Sequence, residues 1–233
     1  MIFIDPKLWA VATDKPLGDY AVGGIVKLNE NGSPVDYLVV HQGLPSSMYD
    51  ASCDGTWLLR KNIVEKRAWD SGDSNVLETS DIQAWLNSTM LARYDSKVRS
   101  LIKSIKIPYR KNGGSGGTDQ SGANGLQCKL FMLSGYEVGW TKSNNTWFPV
   151  DGSKLSYFIA GNSPQANQKR VATLNENADN WRLRSQAIGN TNGVWNVYYD
   201  GDYGSNSAAI QWGVRHALIL PFDTIVGKNN LVA

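Results

Sequence analysis

The stretch that decides the fold is residues 180–220, NWRLRSQAIGNTNGVWNVYYDGDYGSNSAAIQWGVRHALIL. Its two ends, 181–185 and 213–220, combine aromatic and aliphatic residues and are typical of buried strands. The part between them, 186–212, contains no Lys, Arg, Glu, Leu, Phe, Met or Pro, and its only charged residues are two aspartates. Tyr and Trp provide contact area at a low entropy cost, and Ser, Gly and Asn provide adaptable hydrogen bonds. The composition therefore indicates a contact surface held between rigid strands.

Alternation along the strand predicted at 194–199 assigns its side chains to two faces. We expect Trp195 and Val197 to point inward, and Asn196 and Tyr198 to point outward. The Asp-Gly pair that follows predicts a hairpin turn rather than a calcium site, which would need more carboxylates at fixed spacing. The candidate ligand-binding residues of this region are Arg182, Gln186, Ile188, Asn190, Asn192, Asn196, Tyr198, Tyr203, Asn206, Ala208, Gln211 and Trp212.

Strand signals recur on both sides of this region. The Val- and Ile-rich stretches 22–27 and 35–41 flank an Asn-Gly pair, which predicts a hairpin. Residues 56–64 predict a third strand, and 129–133 a buried one. In 214–220 the alternation of apolar and polar residues is lost, which predicts a central strand covered on both faces.

Helical periodicity appears in only two places. Ser80 caps a helix over about 80–92, and a second helix is predicted over about 95–104. Residues 134–137 resemble a capping box and predict one helical turn. The glycine-rich residues 110–127 lack the Lys-Ser/Thr ending of a phosphate-binding loop, so they predict a surface loop or linker.

Composition limits the classes of partner. The 233 residues carry a net charge of +2 with 19% charged residues and no basic cluster, which argues against nucleic-acid binding. No apolar run is long enough to cross a membrane and the N-terminus lacks the features of a signal peptide, so we expect synthesis in the cytoplasm without membrane insertion. Residues 1–20 predict an arm that packs on the domain or docks to a neighbour in a homo-oligomer, and 21–233 predict a single domain.

Sequence signals for catalysis are absent. The chain has no nucleophile elbow, no His-Glu-x-x-His motif and no nucleotide fingerprint, and it contains two His. Cys53 and Cys128 predict two separate, reduced and buried thiols, with a disulfide as the alternative. Arg184 and Arg215 lie beside apolar strand residues and predict buried donors to loop carbonyls or to a carboxylate. We therefore expect no enzyme activity, no cofactor and no metal.

Three motifs carry a resemblance to a known family: W-x-L-R-S at 181–185, V-x-x-V-x-x-D-G at 194–201 and G-V-R-x-A-L at 213–218. With these motifs, almost the whole chain resembles phage and prophage proteins of gut-type bacteria that share a domain of unknown function. The resemblance implies an α+β, C-type lectin-like fold, related to that of the formylglycine-generating enzymes, with short twisted antiparallel strands and long ordered loops. It also implies kinship with the variable proteins of diversity-generating retroelements, in which one segment, here 181–216, displays changing residues on a fixed scaffold.

Two positions depart from the pattern of that family. Arg182 stands where an aromatic residue is common, which predicts an exposed position. His216 stands where proline is common, which predicts a polar group at the edge of the binding face. Neither cysteine matches the catalytic cysteines of the formylglycine-generating enzymes, which argues against transferring their activity to this chain.

The function favoured by these observations is binding of a ligand or receptor. The expected protein is a phage tail or virion-associated adhesin whose partner is a protein or glycan receptor on a bacterial cell surface. One alternative is a structural virion decoration protein, in which 186–212 contacts a neighbouring subunit. The other is an enzyme on the same fold, with a cleft that converges on one of the cysteines. In the favoured case the protein is encoded by a phage or prophage and resides in the virion.

Overall fold

The two ends of the described chain lie side by side. The computed structural model describes residues 14–232, so most of the arm predicted at 1–20 lies outside the described residues. The first described strand, Lys15–Pro16, pairs antiparallel with Ile225–Val226. Leu17, which follows that strand, is fully buried in one of the two hydrophobic clusters of the core.

Short strands dominate the described chain. In order they are β1 (Lys15–Pro16), β2 (Ile25–Glu30), β3 (Ser33–Gln42), β4 (Thr56–Arg60), β5 (Lys66–Arg67), β6 (Ile105–Ile107), β7 (Tyr109–Lys111), β8 (Thr118–Gln120), β9 (Leu126–Cys128), β10 (Phe131–Met132), β11 (Thr173–Leu174), β12 (Asn177–Ala178), β13 (Trp181–Gln186), β14 (Gly193–Val197), β15 (Tyr203–Ser207), β16 (Trp212–Gly213), β17 (His216–Leu220) and β18 (Ile225–Val226). The α-helices are α1 (Asp81–Trp85), α2 (Ser96–Leu101) and α3 (Pro164–Arg170). None of the helices within 14–232 is long and apolar enough to cross a bilayer.

Two five-stranded sheets organise these strands. The first has the order β10-β17-β4-β3-β2 and is antiparallel throughout. The second has the order β15-β14-β13-β16-β5, in which β13 and β16 are the parallel pair. Four two-stranded ladders complete the pairing. The chain is thus a mixed helix and sheet protein, mostly β with few helices, and neither sheet closes into a barrel among the described strands.

The first sheet is covered on both faces. Along β17, Leu218 and Leu220 belong to one core cluster, which also contains residues of α1 and α2. Ala217 and Ile219 belong to a second cluster, which contains the inward residues of the second sheet. Because successive strand residues face opposite sides, β17 lies between two apolar layers. The prediction of a central strand near 214–220 is confirmed.

The predicted N-terminal hairpin is confirmed, with shifted bounds. β2 and β3 pair from Ile25 to Glu30, and the turn between them uses Asn31 at φ 50° and Gly32 at φ 75°. Two consecutive residues at positive φ fit the turn type that an Asn-Gly pair favours. The third predicted strand forms as β4 but ends at Arg60.

The two predicted helices are present; the first is α-helical over only part of its predicted length, and the second is shorter than expected. The Ser80 hydroxyl accepts from the Gln83 N–H at 3.3 Å, which confirms the cap of the first helix. After α1 the helical path continues through a π turn and a 3₁₀ turn to Arg93, whereas α2 ends at Leu101. Helix α3 was not predicted, although Ser163 caps it and proline occupies its first position, a combination that marks helix starts.

Residues 110–127 lie mostly at the surface, as predicted, but the interpretation of them as a loop or linker is wrong. The segment contains β8 and most of β9, and β7 pairs with β8. Gly114 packs so closely that a Cβ there would lie 2.0 Å from the carbonyl oxygen of Ala187. The glycines therefore permit close backbone approach rather than flexibility.

Candidate functional site

Segment 186–212 supplies half of the second sheet. β14 and β15 form a hairpin whose turn contains Gly201 at φ 87°, and the Tyr198 N–H donates to the carbonyl of Asp202 at 2.7 Å. The predicted hairpin turn is confirmed. Strand β15 was not predicted, because most of its residues are Gly, Ser and Asn, which have low strand propensity.

The loop between β13 and β14 is held by two asparagines. The Asn190 Oδ1 accepts from the N–H groups of Asn192 and Gly193 at 2.8 and 2.6 Å. Asn75, which is buried and comes from a distant part of the chain, donates its Nδ2 to the carbonyls of Asn190 and Gly193 at 2.9 and 3.0 Å. The backbone of this loop is therefore fixed on both sides.

Arg182 holds the loop that follows β15. Its Nη2 donates to the carbonyls of Ser207 and Ile210 at 2.6 and 2.8 Å. Its Nη1 donates to the Asn196 Oδ1 at 2.6 Å and, more weakly, to the carbonyl of Asn206 at 3.4 Å. Because Arg182 and Asn196 are directly opposite in the β13–β14 register, the strand pairing itself places these partners together.

Asp73 fixes the same loop from outside the sheet. Its Oδ1 accepts from the Ser207 hydroxyl at 2.6 Å and from the Ala209 N–H at 3.2 Å. Its Oδ2 accepts from the Asn192 Nδ2 at 2.7 Å. These hydrogen bonds, that from Ser207 first, lower the pKa of the Asp73 carboxyl, so it is ionised at neutral pH. One carboxylate thus joins the loops on both sides of the hairpin.

Four candidate ligand-binding residues are buried, and for them the prediction is wrong. Arg182 and Asn196 are 0% exposed because they hydrogen-bond to each other and to the covering loop. Gln186 is buried because its Nε2 donates to the carbonyl of Arg110 at 3.1 Å. Ala208 packs in the core beside Trp69, whose N–H donates to the Ala208 carbonyl at 2.8 Å. We call these four buried residues, which pack within the segment and fix its loops, the frame.

The other eight candidates have side chains that are at least partly accessible: Ile188, Asn190, Asn192, Tyr198, Tyr203, Asn206, Gln211 and Trp212. Tyr203 nevertheless turns toward the core, where its ring lies 5.7 Å from that of Trp195. Its hydroxyl donates to the carbonyl of Asn144 at 3.1 Å. The remaining seven candidates lie in two stretches of the segment, 188–192 and 198–212.

At one end of the segment, Ile188 and Asn190 line a small pocket with Trp147. The Ile188 N–H donates to the Trp147 carbonyl at 2.9 Å, and Trp195 Nε1 donates to the same oxygen at 3.3 Å. The Trp147 side chain is 57% exposed. Trp147, Ile188 and Asn190 together are called the Trp147 patch.

At the other end, Tyr198, Ile210, Gln211 and Trp212 form the Trp212 patch. The rings of Tyr198 and Trp212 lie 5.7 Å apart, and the Arg182 guanidinium lies 5.0 Å from the Trp212 ring. Gly204 leaves room for Tyr198, since a Cβ there would lie 2.1 Å from its hydroxyl oxygen. The rings of Tyr198 and Trp212 are therefore held by contacts with the protein and remain partly accessible to solvent.

A pocket of about 240 Å³ adjoins the Trp212 patch. It is lined by Lys66, Arg67, Ala68, Ser71, Asp81 and Gln211. Arg67 of the pocket is the β5 partner of Trp212 on β16. The pocket and the Trp212 patch are therefore neighbours in the second sheet. The pocket mixes charged and hydroxyl groups, which suits a polar ligand.

Two large apolar residues of the segment are exposed but are not among the predicted candidates. Tyr199 is 62% exposed and Ile210 is 42% exposed. Trp195 and Val197 are buried, as predicted. Continued alternation would place Tyr199 on their face, but β14 ends at Val197 and the turn carries Tyr199 outward. Asn196 does lie on the face of β14 opposite to Trp195 and Val197, as expected. The loop after β15 covers that face, so the Asn196 side chain is buried.

The arginines predicted as buried donors are confirmed. Arg184 is 1% exposed and donates to both oxygens of Glu137, at 2.5 and 2.7 Å. Glu137 in turn accepts from the Ser134 N–H at 2.9 Å, while the Ser134 hydroxyl accepts from the Glu137 N–H at 3.1 Å, which confirms the predicted capping box. Arg215 donates to two main-chain carbonyls.

The prediction for His216 is wrong. It is fully buried in the first sheet, where its Nε2 lies 2.6 Å from the Tyr94 hydroxyl and 3.1 Å from that of Tyr37. Burial lowers the pKa of His216 well below its ordinary value, so the ring is neutral. A buried histidine needs polar partners, unlike the proline common at this position in the similar family, and the two tyrosine hydroxyls provide them. These contacts hold His216 in the core, away from the binding face.

The two thiols are protonated and buried. Both cysteines are free, as predicted, and burial raises the pKa of Cys53 to about 11 and that of Cys128 to about 12. Because the thiolate is the reactive form, neither is activated as a nucleophile. Among residues 14–232, no group of three or more His, Cys, Asp or Glu side chains is placed to hold a metal ion.

Comparison with known proteins places the chain in a family. No curated protein matches the chain, and no solved structure matches it. A family model described as a domain of unknown function, DUF6273, matches residues 54–222. This match covers both sheets apart from β2 and β3, and more than half of the sequence, so the chain belongs to the DUF6273 family.

Proposed function

We propose that this protein is a ligand- or receptor-binding protein that uses the accessible residues of 186–212 as its contact surface. The observation that carries the proposal is the combination of a fixed backbone with accessible aromatic and amide side chains. The loop after β15 is fixed by hydrogen bonds that Arg182 donates to its carbonyls and that Asp73 accepts from the Ser207 hydroxyl. Side chains that do not move on binding lose little entropy, which favours affinity.

The composition of the accessible surface supports binding rather than solvation alone. Tyr198, Trp212 and Ile210 give apolar area, and Gln211 gives hydrogen-bonding capacity without charge. Aromatic residues are enriched in the cores of protein interfaces, whereas Lys and Glu are depleted there, and 186–212 contains neither Lys nor Glu. Because a pocket lined by charged and hydroxyl side chains adjoins the Trp212 patch, we assign the main contact to this patch and its pocket.

The scaffold that we propose is C-type lectin-like. Short antiparallel strands, few helices and long ordered loops support this assignment, as do the three motifs in and around 180–220. On this basis the protein is a phage tail or virion-associated adhesin that recognises a protein or glycan receptor on a bacterial surface. Its resemblance to diversity-generating retroelement proteins supports a surface whose accessible residues vary between copies.

The direct test is binding of the labelled protein to intact bacterial cells and to an array of bacterial surface glycans. Ile210→Ala is the test variant, and Ile225→Ala is its matched control, because the two isoleucines are 42% and 44% exposed. We expect Ile210→Ala to weaken binding about tenfold, as for a residue within an interface core. Equal binding by the two variants would show that the Trp212 patch is not the contact surface.

A structural role in the virion is the second candidate. The exposed Tyr199 and Ile210 would then contact a neighbouring subunit instead of a receptor. Light scattering separates the two functions, since a decoration protein assembles through this face and Ile210→Ala then lowers the mass in solution. A receptor-binding protein keeps its mass in that variant and loses binding only.

A further inference from the structure

A second pocket lies away from 186–212, between helix α3 and the first sheet. Its volume is about 330 Å³, within the range of small-molecule sites. It is lined by Leu38, Lys61, Asn62, Tyr157, Gln168, Val171, Ala172, Thr173 and Arg215. None of these residues is acidic, and Tyr157 and Gln168 also line the adjoining groove along α3.

Arg215 is the feature that distinguishes this pocket. Its side chain is 1% exposed, its Nε donates to the Arg60 carbonyl at 2.9 Å and its Nη1 to the Arg170 carbonyl at 3.3 Å. Within residues 14–232, Nη2 has no hydrogen-bond acceptor and no carboxylate lies within 4.0 Å of the guanidinium. Because Arg215 lines the pocket and this nitrogen has no protein acceptor, Nη2 can donate to an anion from outside the chain.

The other buried arginines use both terminal nitrogens on protein oxygens, although the Nε of Arg182 has no partner. Arg184 is neutralised by Glu137, and Arg170 uses both of its terminal nitrogens on protein oxygens. Burial lowers the pKa of Arg215 to about 10, so it stays positively charged at neutral pH. Arg215 therefore brings a full charge to the pocket wall and leaves one terminal nitrogen free to donate.

The chemistry of the pocket wall selects among anions. We propose that the pocket binds a small carboxylic acid, with one carboxylate oxygen on the Arg215 Nη2 and the body of the ligand against Leu38, Val171 and Ala172. A single buried cation suits a monoanion, whereas a phosphate dianion needs more positive charge. The only other lining cation, Lys61, is half-exposed and paired with Asp36 at 3.3 Å. Gln168, which is exposed on α3, can donate its amide to the second oxygen.

The test is a titration followed by two-dimensional NMR of the full chain, with sodium glucuronate as the probe. We expect saturable shifts at Ala172 and Thr173, with no shifts at the Trp212 patch. Neutral glucose should bind at least tenfold more weakly, and inorganic phosphate more weakly than glucuronate. Absence of saturation at tens of millimolar glucuronate, equal binding of glucose or tighter binding of phosphate would each overturn the proposal.

A charge-reversing variant makes the test specific. Gln168→Glu places a carboxylate in the pocket and should weaken glucuronate binding tenfold or more by repulsion, whereas Gln127→Glu makes the same change on exposed β9. Both residues are exposed, so neither variant depends on repacking of the core. Equal glucuronate affinity in the two variants overturns the assignment. Since both variants keep the Trp212 patch, binding to bacterial cells is expected to be unchanged, which separates this site from the proposed receptor surface.

Discussion

Replacing Arg182 by methionine tests whether this buried residue holds the loop of the Trp212 patch. Three strong hydrogen bonds, at 2.6, 2.6 and 2.8 Å, would be lost. Hydrogen bonds to charged groups contribute about 1.5–3 kcal/mol each, so the gross loss is roughly 4.5–9 kcal/mol. The burial that lowers the pKa of Arg182 to about 10 costs about 3 kcal/mol, which the variant recovers. We expect a net loss of about 1.5–6 kcal/mol in the free energy of unfolding.

Urea denaturation of Arg182→Met and Arg99→Met measures this loss. Arg99 is exposed on α2, so its replacement controls for the loss of one charge and should change the stability by less than about 0.5 kcal/mol. Hydrogen exchange adds a local readout, because the amide of Ile210 should exchange faster only in Arg182→Met. Equal stability of the two variants, or unchanged exchange at Ile210, would refute the reasoning.

Further predictions concern a buried carboxyl and three glycines. Burial raises the pKa of Asp151 to about 7, so the folded state holds a proton that the unfolded state releases near pH 4. The stability of the wild type relative to Asp151→Asn should therefore fall as the pH rises from about 4 to 7, by up to about 1.4 kcal/mol per pH unit, and a flat difference in urea denaturation would contradict this. Gly114→Ala should destabilise by more than about 2 kcal/mol, because the new methyl group meets backbone carbonyl oxygens at 2.0 and 2.5 Å. Gly116→Ala is its control, since nothing lies within 4 Å and only the positive φ, 72°, opposes it; similar melting temperatures would count against the packing argument. Gly204→Ala should displace the Tyr198 ring from Trp212 at little cost in stability, visible as a change in tryptophan fluorescence, and an unchanged spectrum would contradict the contact.

Local signals in the sequence were sufficient for much of the fold. The Asn31-Gly32 turn, the Ser80 cap and the capping box at 134–137 each depend on residues within a few positions of one another, and each forms as expected. The burial of Arg184 was also predictable, because a charged residue between apolar strand positions needs partners that only an interior can supply. Helix α3 carried a comparable signal, a serine cap followed by proline, and could have been predicted.

Exposure within 186–212 could not be predicted in the same way. Asn75 and Asp73 bind the segment from more than 100 positions earlier in the chain. The Gln186 amide donates to the carbonyl of Arg110, which is also distant in sequence. The spacing of residues within the segment gives no sign of these long-range contacts, so the burial that they cause could not be predicted. Alternation gives the face of a strand to which a side chain belongs, but not whether another loop covers that face, which is why Asn196 was expected at the surface.

The division between frame and accessible residues makes a final prediction about which changes the segment tolerates. A library that varies each position of 181–216, sorted by resistance to protease, should accept most substitutions at Gln211, whose side chain is exposed and makes no hydrogen bond to residues 14–232. It should reject most substitutions at Asn196, because loss of its Oδ1 leaves the buried Arg182 Nη1 with only the Asn206 carbonyl at 3.4 Å, at a cost of about 1–3 kcal/mol. If tolerance at these two positions is equal, the frame does not depend on the hydrogen bonds described. If it differs as expected, a diversified copy of this protein must keep Asn196 and can vary Gln211, so the surface open to variation is smaller than the composition of the segment indicates.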